Sequence, residues 1–403
     1  MLIKNCDFVV TQNKEREILR NCDVKIRNDK IIEIGENLDG DVLIDGKSKA
    51  LLPGLINCHT HLAMTFLRGY ADDMEVNEWL QKKIWPMESK LTKEKVYEGS
   101  LLGCKEMIRS GTTCFNDMYL FMNETARAVE ESGLRAVLCS VYFDFTKEDI
   151  FSDEFNLVDK FKKHDRIKFV LGPHAPYSCS KELLIKSREF MDGNKCGAHI
   201  HVAESKKEIE DLKKKYGKSP VGLLNEIDFL NDRVLMAHGI WLSDEDIEII
   251  KEKKVKLAHC PVSNMKLASG VMRLIDLWKN GIVVGLGTDG CASNNNLDMF
   301  EEMKFAALLH KIDKMDSTVA KAQEVFDMAT LKGAEALNME KEIGSIEIGK
   351  KADLITLNLE DYNMKPVHDI VSNIVYSANG GNVNDVIVNG KVLMKDKLIN
   401  KFN

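Results

Sequence analysis

None of the ten cysteines stands in a C-x-x-C pair, which removes the paired-cysteine pattern of redox and zinc sites. They sit instead among apolar residues, as at Cys104, Cys114, Cys139 and Cys260, and read as small buried side chains kept reduced. A cytoplasmic location is the expectation. Nowhere do about 18 apolar residues follow one another, so no membrane span is expected. The opening Met1-Leu2-Ile3-Lys4-Asn5-Cys6-Asp7 has no basic segment leading into an apolar one, and no secretory signal is read there. Long runs of one charge sign are missing too. With a net charge of −7, the chain carries no electrostatic footprint for a nucleic-acid backbone. No G-x-G-x-x-G follows the first strand of the central region, which argues against a doubly wound, dinucleotide-binding sheet.

What is present is ordinary globular composition, 44% hydrophobic and 30% charged, over 403 residues. That length exceeds one ordinary core, so a large domain with a smaller one is expected. Short strands separated by turns are predicted near both ends of the chain, at residues 2–10, 22–27, 31–34 and 42–44, and again at 345–348, 353–357, 373–376 and 385–388. Asn389-Gly390 reads as a hairpin turn. The two β-rich ends, residues 1–50 and 345–403, are expected to pair into one small β-sandwich domain.

Across residues 51–344 the pattern changes to strand–helix alternation. The apolar runs are 51–57, 111–116, 135–140, 167–172, 196–200, 234–237, 255–258 and 282–286. Asn123 and Gly133 bracket one helix, and Met107 and Ile108 close another before Gly111. Ser205 with Glu208 forms a capping box ahead of Ile209 and Leu212. Alternation of this kind implies a parallel sheet, and eight units in this length imply an α/β fold closed as a (β/α)8 TIM barrel.

The histidines fall at the C-terminal ends of those strands. The first run leads into His59-Thr60-His61 and the fourth into His174. The fifth carries His199, His201 and Glu204, the sixth ends in His238, the seventh in His259, and the eighth in Thr288-Asp289-Gly290. In a barrel these ends converge on one face. Residues two apart on a strand point the same way, so His59 and His61 can offer two imidazoles to one metal, with His201 and Asp289 completing the set. Such ligands suit zinc, with ferrous iron close behind. Any one of these histidines alone would more ordinarily be a packed core side chain. Independent core histidines have no reason to gather at one end of successive strands.

These stretches resemble the amidohydrolase superfamily, and within it the 5′-methylthioadenosine/S-adenosylhomocysteine deaminases, closest to the branch that acts on 5′-deoxyadenosine. The resemblance rests on residues 53–61 (PGLINCHTH), 172–177 (GPHAPY), 199–204 (HIHVAE), 258–267 (AHCPVSNMKL) and 287–290 (GTDG). It implies one divalent metal per chain, zinc first and iron or manganese otherwise, held by His59, His61, His201 and Asp289. Dinuclear relatives place a bridging lysine late in the fourth strand, where this chain has Gly172-Pro173-His174. The H-x-E and P-C-x-x-C signature of cytidine deaminases is also missing.

The resemblance further implies a reaction: hydrolytic deamination of adenine nucleosides derived from S-adenosylmethionine, giving inosine analogues and ammonia. Asp289 would take the proton of water, His238 would orient that water and share the proton, and Glu204 would protonate a purine ring nitrogen. Glu88 would accept hydrogen bonds from the ribose hydroxyls, and His174 would contact the nucleoside. Trp79, Trp85 and Met87 would form an apolar wall, with buried core as the equal alternative for them. In many relatives an arginine that pairs with a homocysteine carboxylate follows the G-x-R-A segment; here Ser140 follows Gly133-Leu134-Arg135-Ala136. A tolerant 5′ pocket is therefore expected, taking 5′-deoxyadenosine, 5′-methylthioadenosine, S-adenosylhomocysteine and adenosine. The alternative within the superfamily is a hydrolase of guanine, cytosine or a triazine, for which Glu88 would have no ribose to bind. The resemblance also implies a homo-oligomer, a tetramer being one form.

Overall fold

In a computed structural model, residues 1–74, 76–144 and 150–402 are described. The strands in chain order are β1 (Leu2–Val10), β2 (Ile18–Arg27), β3 (Lys30–Gly35), β4 (Val42–Asp45), β5 (Lys49–Pro53), β6 (Leu55–Thr60), β7 (Thr112–Tyr119), β8 (Arg135–Tyr142) and β9 (Ile167–Phe169). They continue as β10 (Gly172–Pro173), β11 (Ala198–Val202), β12 (Val234–His238), β13 (Lys256–His259), β14 (Val284–Leu286), β15 (Leu354–Asn358), β16 (Val383–Val388), β17 (Lys391–Lys395) and β18 (Leu398–Ile399).

Among the described residues, both ends of the chain share one nine-stranded sheet in the order β18-β17-β16-β15-β5-β1-β2-β3, with β4 added on β1. Ile3, Val24, Ile26, Ile31, Leu51 and Ile387 fill a small core of its own. Asn389 and Gly390 both take positive φ, 52° and 73°, the geometry a two-residue hairpin needs, and β16 and β17 pair antiparallel across them.

The central strands run parallel. β6, β7, β8 and β10 pair in one sheet, with β9 also on β8, and β11 to β14 pair in another. A parallel bridge between Leu171 and Ala198 connects the two. Strands β6, β7, β11, β12, β13 and β14 are buried along their whole length, as expected of parallel strands covered on both faces. Among the described residues, no helix is long and apolar enough to cross a membrane.

The apolar run at 51–57 is two strands in two sheets. Gly54 divides it: a Cβ there would fall 2.0 Å from Thr113 Oγ1, so only glycine lets the backbone pass. The Gly54 N–H donates to Asp353 O and the next, Leu55, to Gly111 O. Two terminal expectations are corrected. Residues 373–376 belong to the helix Ile370–Tyr376, where Ile370, Val371, Ile374 and Val375 are buried at helical spacing and the Asp369 carboxylate caps the Ser372 N–H. The β-branched window misled because the cap lies outside it. Residues 345–348 form no strand; the Ile346 N–H donates to Thr11 O at 2.7 Å in an irregular crossing.

The Arg135 of the G-x-R-A segment is structural. It begins β8 with its guanidinium fully buried, donating from Nε to Asp353 Oδ2 at 2.7 Å and from Nη2 to Oδ1 at 3.1 Å. Asp353 Oδ1 also accepts from the Asn389 N–H at 2.7 Å, so one pair pins the central strands to the terminal sheet. Removing one member leaves the other charge buried without compensation. Arg135→Met should cost about 3–5 kcal/mol, read as a lowered denaturant midpoint. A midpoint within error of wild type would refute this.

Candidate active site

The site is assembled where strands end. His59 lies on β6 and His61 just past it. His201 lies on β11, His238 ends β12, and Asp289 follows β14. The Gly287-Thr288-Asp289-Gly290 turn lies directly against β6. A Cβ on Gly287 would stand 2.7 Å from the His59 backbone nitrogen. The Asp289 N–H donates to His59 O at 2.9 Å. Asn57 clamps Thr288 twice, accepting from its N–H at 3.0 Å and donating to its hydroxyl at 2.7 Å.

Hydrogen bonds on the far nitrogens set the imidazole tautomers. His199 Nδ1–H donates to Leu235 O at 3.2 Å, so its Nε2 is a lone pair that accepts from His59 Nδ1–H at 2.7 Å. His61 Nδ1–H donates to Met118 O at 2.5 Å, and His201 Nδ1–H to His174 O at 2.8 Å. The Nε2 atoms of His59, His61 and His201 are therefore all acceptors. His59 and His61 aim theirs at a carboxylate oxygen, Asp289 Oδ1, at 3.4 and 3.3 Å. His59 Nε2 is buried without a hydrogen-bond partner.

Lone pairs facing a carboxylate with no hydrogen between them demand a cation. Tetrahedral ligands at zinc distances of about 2.0–2.1 Å stand about 3.3–3.4 Å apart, which matches these separations. The possible ligand atoms form two overlapping groups, His59, His61 and His201, and His59, His238 and Asp289, each within 4.8 Å. The donor set fits a divalent metal.

Electrostatics agree. Burial lowers His59 to about 4, and His199 and His201 well below their usual value, so the rings are neutral and free to ligate at neutral pH. Asp289 is buried and fixed by direct hydrogen bonds. Its Oδ2 accepts from the Ser263 and Ser293 hydroxyls at 2.7 and 3.1 Å, and its Oδ1 from the Gly290 N–H at 2.8 Å. Burial pulls His238 down, yet Glu204 and Asp289 push it up further, and the net shift is upward. His238 Nδ1–H donates to Asn264 Oδ1 at 3.0 Å, leaving Nε2 3.9 Å from Glu204 Oε2.

These groups open onto one shared cleft. His61, Glu88, His174, His201, Glu204, His238 and Asp289 all line it. Burial raises the Glu88 carboxyl, and the neighbouring Tyr119 hydroxyl and His61 moderate the rise. Burial drives His174 down to about 3; its Nδ1 bonds Ser178 Oγ at 2.7 Å and its ring packs on Phe143. Trp79 and Trp85 form part of the wall, but Met87 packs against the hydrophobic core instead. Val141 and Phe143 line the cleft beyond Ser140, and no arginine or lysine is among the described residues lining it.

Sequence reasoning missed the supports. His199 is the hydrogen-bond partner of His59, and Ser263 and Asn264 steady Asp289 and His238 from the first turn of the helix Pro261–Lys266. The available signal was their place in the segments 199–204 and 258–267, among the most specific of the chain. His259 stays out of the cleft, with its Nε2 3.0 Å from that of His310 on a buried helix face.

A sequence model of the amidohydrolase family matches residues 50–393. The chain is 48% identical to a 5′-deoxyadenosine deaminase of Methanosarcina barkeri, over 98% of this chain and 93% of that one. It is 49% identical to a 5-methylthioadenosine/S-adenosylhomocysteine deaminase of Thermococcus sibiricus, over 88% and 84%. The crystal structure of an adenosine deaminase from Xanthomonas campestris with bound zinc superposes with a TM-score of 0.97 at 34% identity, covering 100% of this chain and 94% of that one.

If the His199 ring sets the His59 lone pair, His199→Phe should weaken zinc binding by about 10–100-fold, measured by competition with a chromophoric chelator. Unaltered affinity would show that this bond does not orient the ligand.

Proposed function

The chain belongs to the amidohydrolase family, and on that premise we propose that it hydrolytically deaminates adenine nucleosides bearing varied 5′ groups. 5′-Deoxyadenosine, 5′-methylthioadenosine, S-adenosylhomocysteine and adenosine are the substrates, and the products are the inosine analogues and ammonia. We read the parallel strands β6 to β14 as one closed (β/α)8 barrel over residues 51–344. The contacts between the β14 turn and β6 support closure, and the terminal sheet then forms the β-sandwich domain of residues 1–50 and 345–403.

The observation that carries the reading is the meeting, in one cleft, of a cation-demanding cluster with Glu204 and His238 as a proton-handling pair 3.9 Å apart. His59, His61, His201 and Asp289 would hold one divalent ion, and the zinc in the Xanthomonas relative supports zinc over iron or manganese. Such an ion, when bound, lowers the pKa of a coordinated water toward about 7.

The protein's own groups do the rest. Asp289, fixed by two hydroxyls, takes a proton from the attacking water, and His238 shares it. Glu204 donates a proton to a ring nitrogen of the purine, drawing electrons from the carbon that bears the amino group. Water oxygen adds to that carbon, the C–N bond breaks, and the amino group leaves as ammonia with the returned proton, while the added oxygen gives its remaining hydrogen back to Glu204 and becomes the carbonyl. Glu88 in the same cleft offers two acceptor oxygens to a vicinal diol, and His174, which lines that cleft just after β10, contacts the nucleoside. A cytoplasmic homo-oligomer completes the picture, with neither nucleic acid nor membrane as partner.

Glu204→Gln should lower kcat by about 10²–10⁴ while the purified protein keeps its metal; equal loss of metal would reassign the residue. With no cationic side chain in the described cleft wall to reward a homocysteine carboxylate, kcat/KM for the four nucleosides should agree within about 100-fold. A larger preference for S-adenosylhomocysteine would overturn the tolerant pocket.

A further inference from the structure

Glu208 has no role in the site described so far, and its carboxylate does not close the capping box expected from the sequence. It is the third residue of the helix Lys206–Tyr216, whose N-cap is Ser205; the Ser205 hydroxyl accepts from the Glu208 N–H at 3.2 Å. In a capping box the Glu208 carboxylate would return to the Ser205 N–H. It goes further back. Oε1 accepts from the Ala203 N–H at 3.0 Å and Oε2 from the Glu204 N–H at 2.9 Å. The side chain is buried among these groups, with the residue only 3% exposed.

The same molecule contains the ordinary arrangement for comparison. Ser243 and Asp246 stand at the same positions on the helix Asp244–Lys253, and there the Asp246 carboxylate accepts from the Ser243 N–H at 2.9 Å, closing a capping box. Asp246 has one methylene fewer than Glu208. The longer side chain is what lets Glu208 pass its own cap and reach two residues beyond it.

The turn it holds needs holding. Ala203 has φ of +55°, a left-handed conformation that Cβ sterics disfavour. Its carbonyl accepts from the Ile240 and Trp241 N–H groups at 2.9 and 3.0 Å, and Val202 O accepts from Gly239 at 2.9 Å. Carbonyls of this turn are thus tied to the segment after β12, while its amides are tied to Glu208. Glu204 leaves the turn with its backbone nitrogen fixed on one side and His238 facing its carboxylate on the other.

We propose that Glu208 is a positioning residue: its two oxygens clamp the Ala203–Glu204 turn and so aim the Glu204 carboxylate into the cleft for proton transfer. The inference rests on the reading of Glu204 as proton donor. A misplacement of about 1 Å at such a group can cost 10²-fold in rate. Glutamine would keep only one acceptor and turn an amide donor toward the second N–H. Aspartate is the sharper probe, because its reach suits the Ser205 cap, as Asp246 shows, and not the clamp.

The test uses the intact metal-loaded enzyme and the variants Glu208→Asp, Glu208→Gln, Glu204→Gln and Glu204→Gln/Glu208→Asp, with kcat, KM, metal content and Tm measured for each. Glu208→Asp should keep metal content and Tm close to wild type and KM within about 3-fold, while kcat falls by about 10–100-fold. In the Glu204→Gln background the same substitution should change kcat by less than about 3-fold, because the group it acts through is already gone. An equal fall in both backgrounds would make Glu208 a general structural support and overturn the proposal, as would wild-type kcat in Glu208→Asp. If Glu208→Asp does not fold, Glu208→Gln replaces it in both backgrounds, and the same results support or overturn the proposal. Full activity in Glu204→Gln alone would instead sink the assignment of the proton donor, a distinct result.

Discussion

The metal-binding capacity of this protein depends on which nitrogen of each imidazole carries the hydrogen, and neighbouring strands decide that. His61 gives its Nδ1 hydrogen to Met118 O on β7, and His201 gives its own to His174 O beyond β10. His59 passes its hydrogen to His199, which is directly opposite Leu235 in the β11–β12 ladder and bonds that residue's carbonyl. Strand register therefore sets the tautomers. A slip of one residue would turn every side chain to the other face and present hydrogens where lone pairs are needed. Parallel pairing, usually discussed as a source of stability, is here the direct cause of a chemical property.

Backbone conformation contributes in a second way. Ala203, His238 and Asp289 each take positive φ, 55°, 71° and 63°, where a residue with Cβ is disfavoured by about 1–2 kcal/mol. All three sit where a strand gives way to a loop, and all three are over-determined by their surroundings. Asp289 is fixed through its N–H to His59 and through its carboxylate to Ser263, Ser293 and Gly290. His238 is fixed through Asn264. Strain at such positions persists only where the surroundings hold it, and the supports come from different loops. The reactive face is consequently a property of several loops at once.

Much of this was legible in the sequence because histidines are rare and chemically specific. The H-x-H pair, the H-x-x-E spacing and Thr288-Asp289-Gly290 marked strand ends that the structure brings into one cleft. Both chain ends were also readable as strands that meet in one sheet. The errors have physical causes. Residues 51–57 look like one strand because hydrophobicity does not reveal that Thr113 crowds Gly54 and splits the run. Residues 373–376 look extended because Val and Ile favour strands locally, whereas burial of Ile370 and Ile374 on one face makes them helical. Glu208 matched the capping-box pattern, and only three-dimensional reach showed its carboxylate going elsewhere. Supporting residues such as Ser263 and Asn264 could not be given roles from spacing, since their partners lie on other elements.

The terminal sheet has a consequence for synthesis. β5 is an interior strand, parallel to β1 on one side and antiparallel to β15 on the other. β5 ends at Pro53 and β15 begins at Leu354, so about 300 residues emerge from the ribosome between them, a delay of roughly 15–60 s at about 5–20 residues per second. Throughout that interval the apolar segment Lys49–Pro53 presents one row of backbone donors and acceptors to whatever strand is nearest, including the same segment of an adjacent nascent chain on the same message. Translation therefore leaves this strand edge open to wrong pairing until β15 arrives.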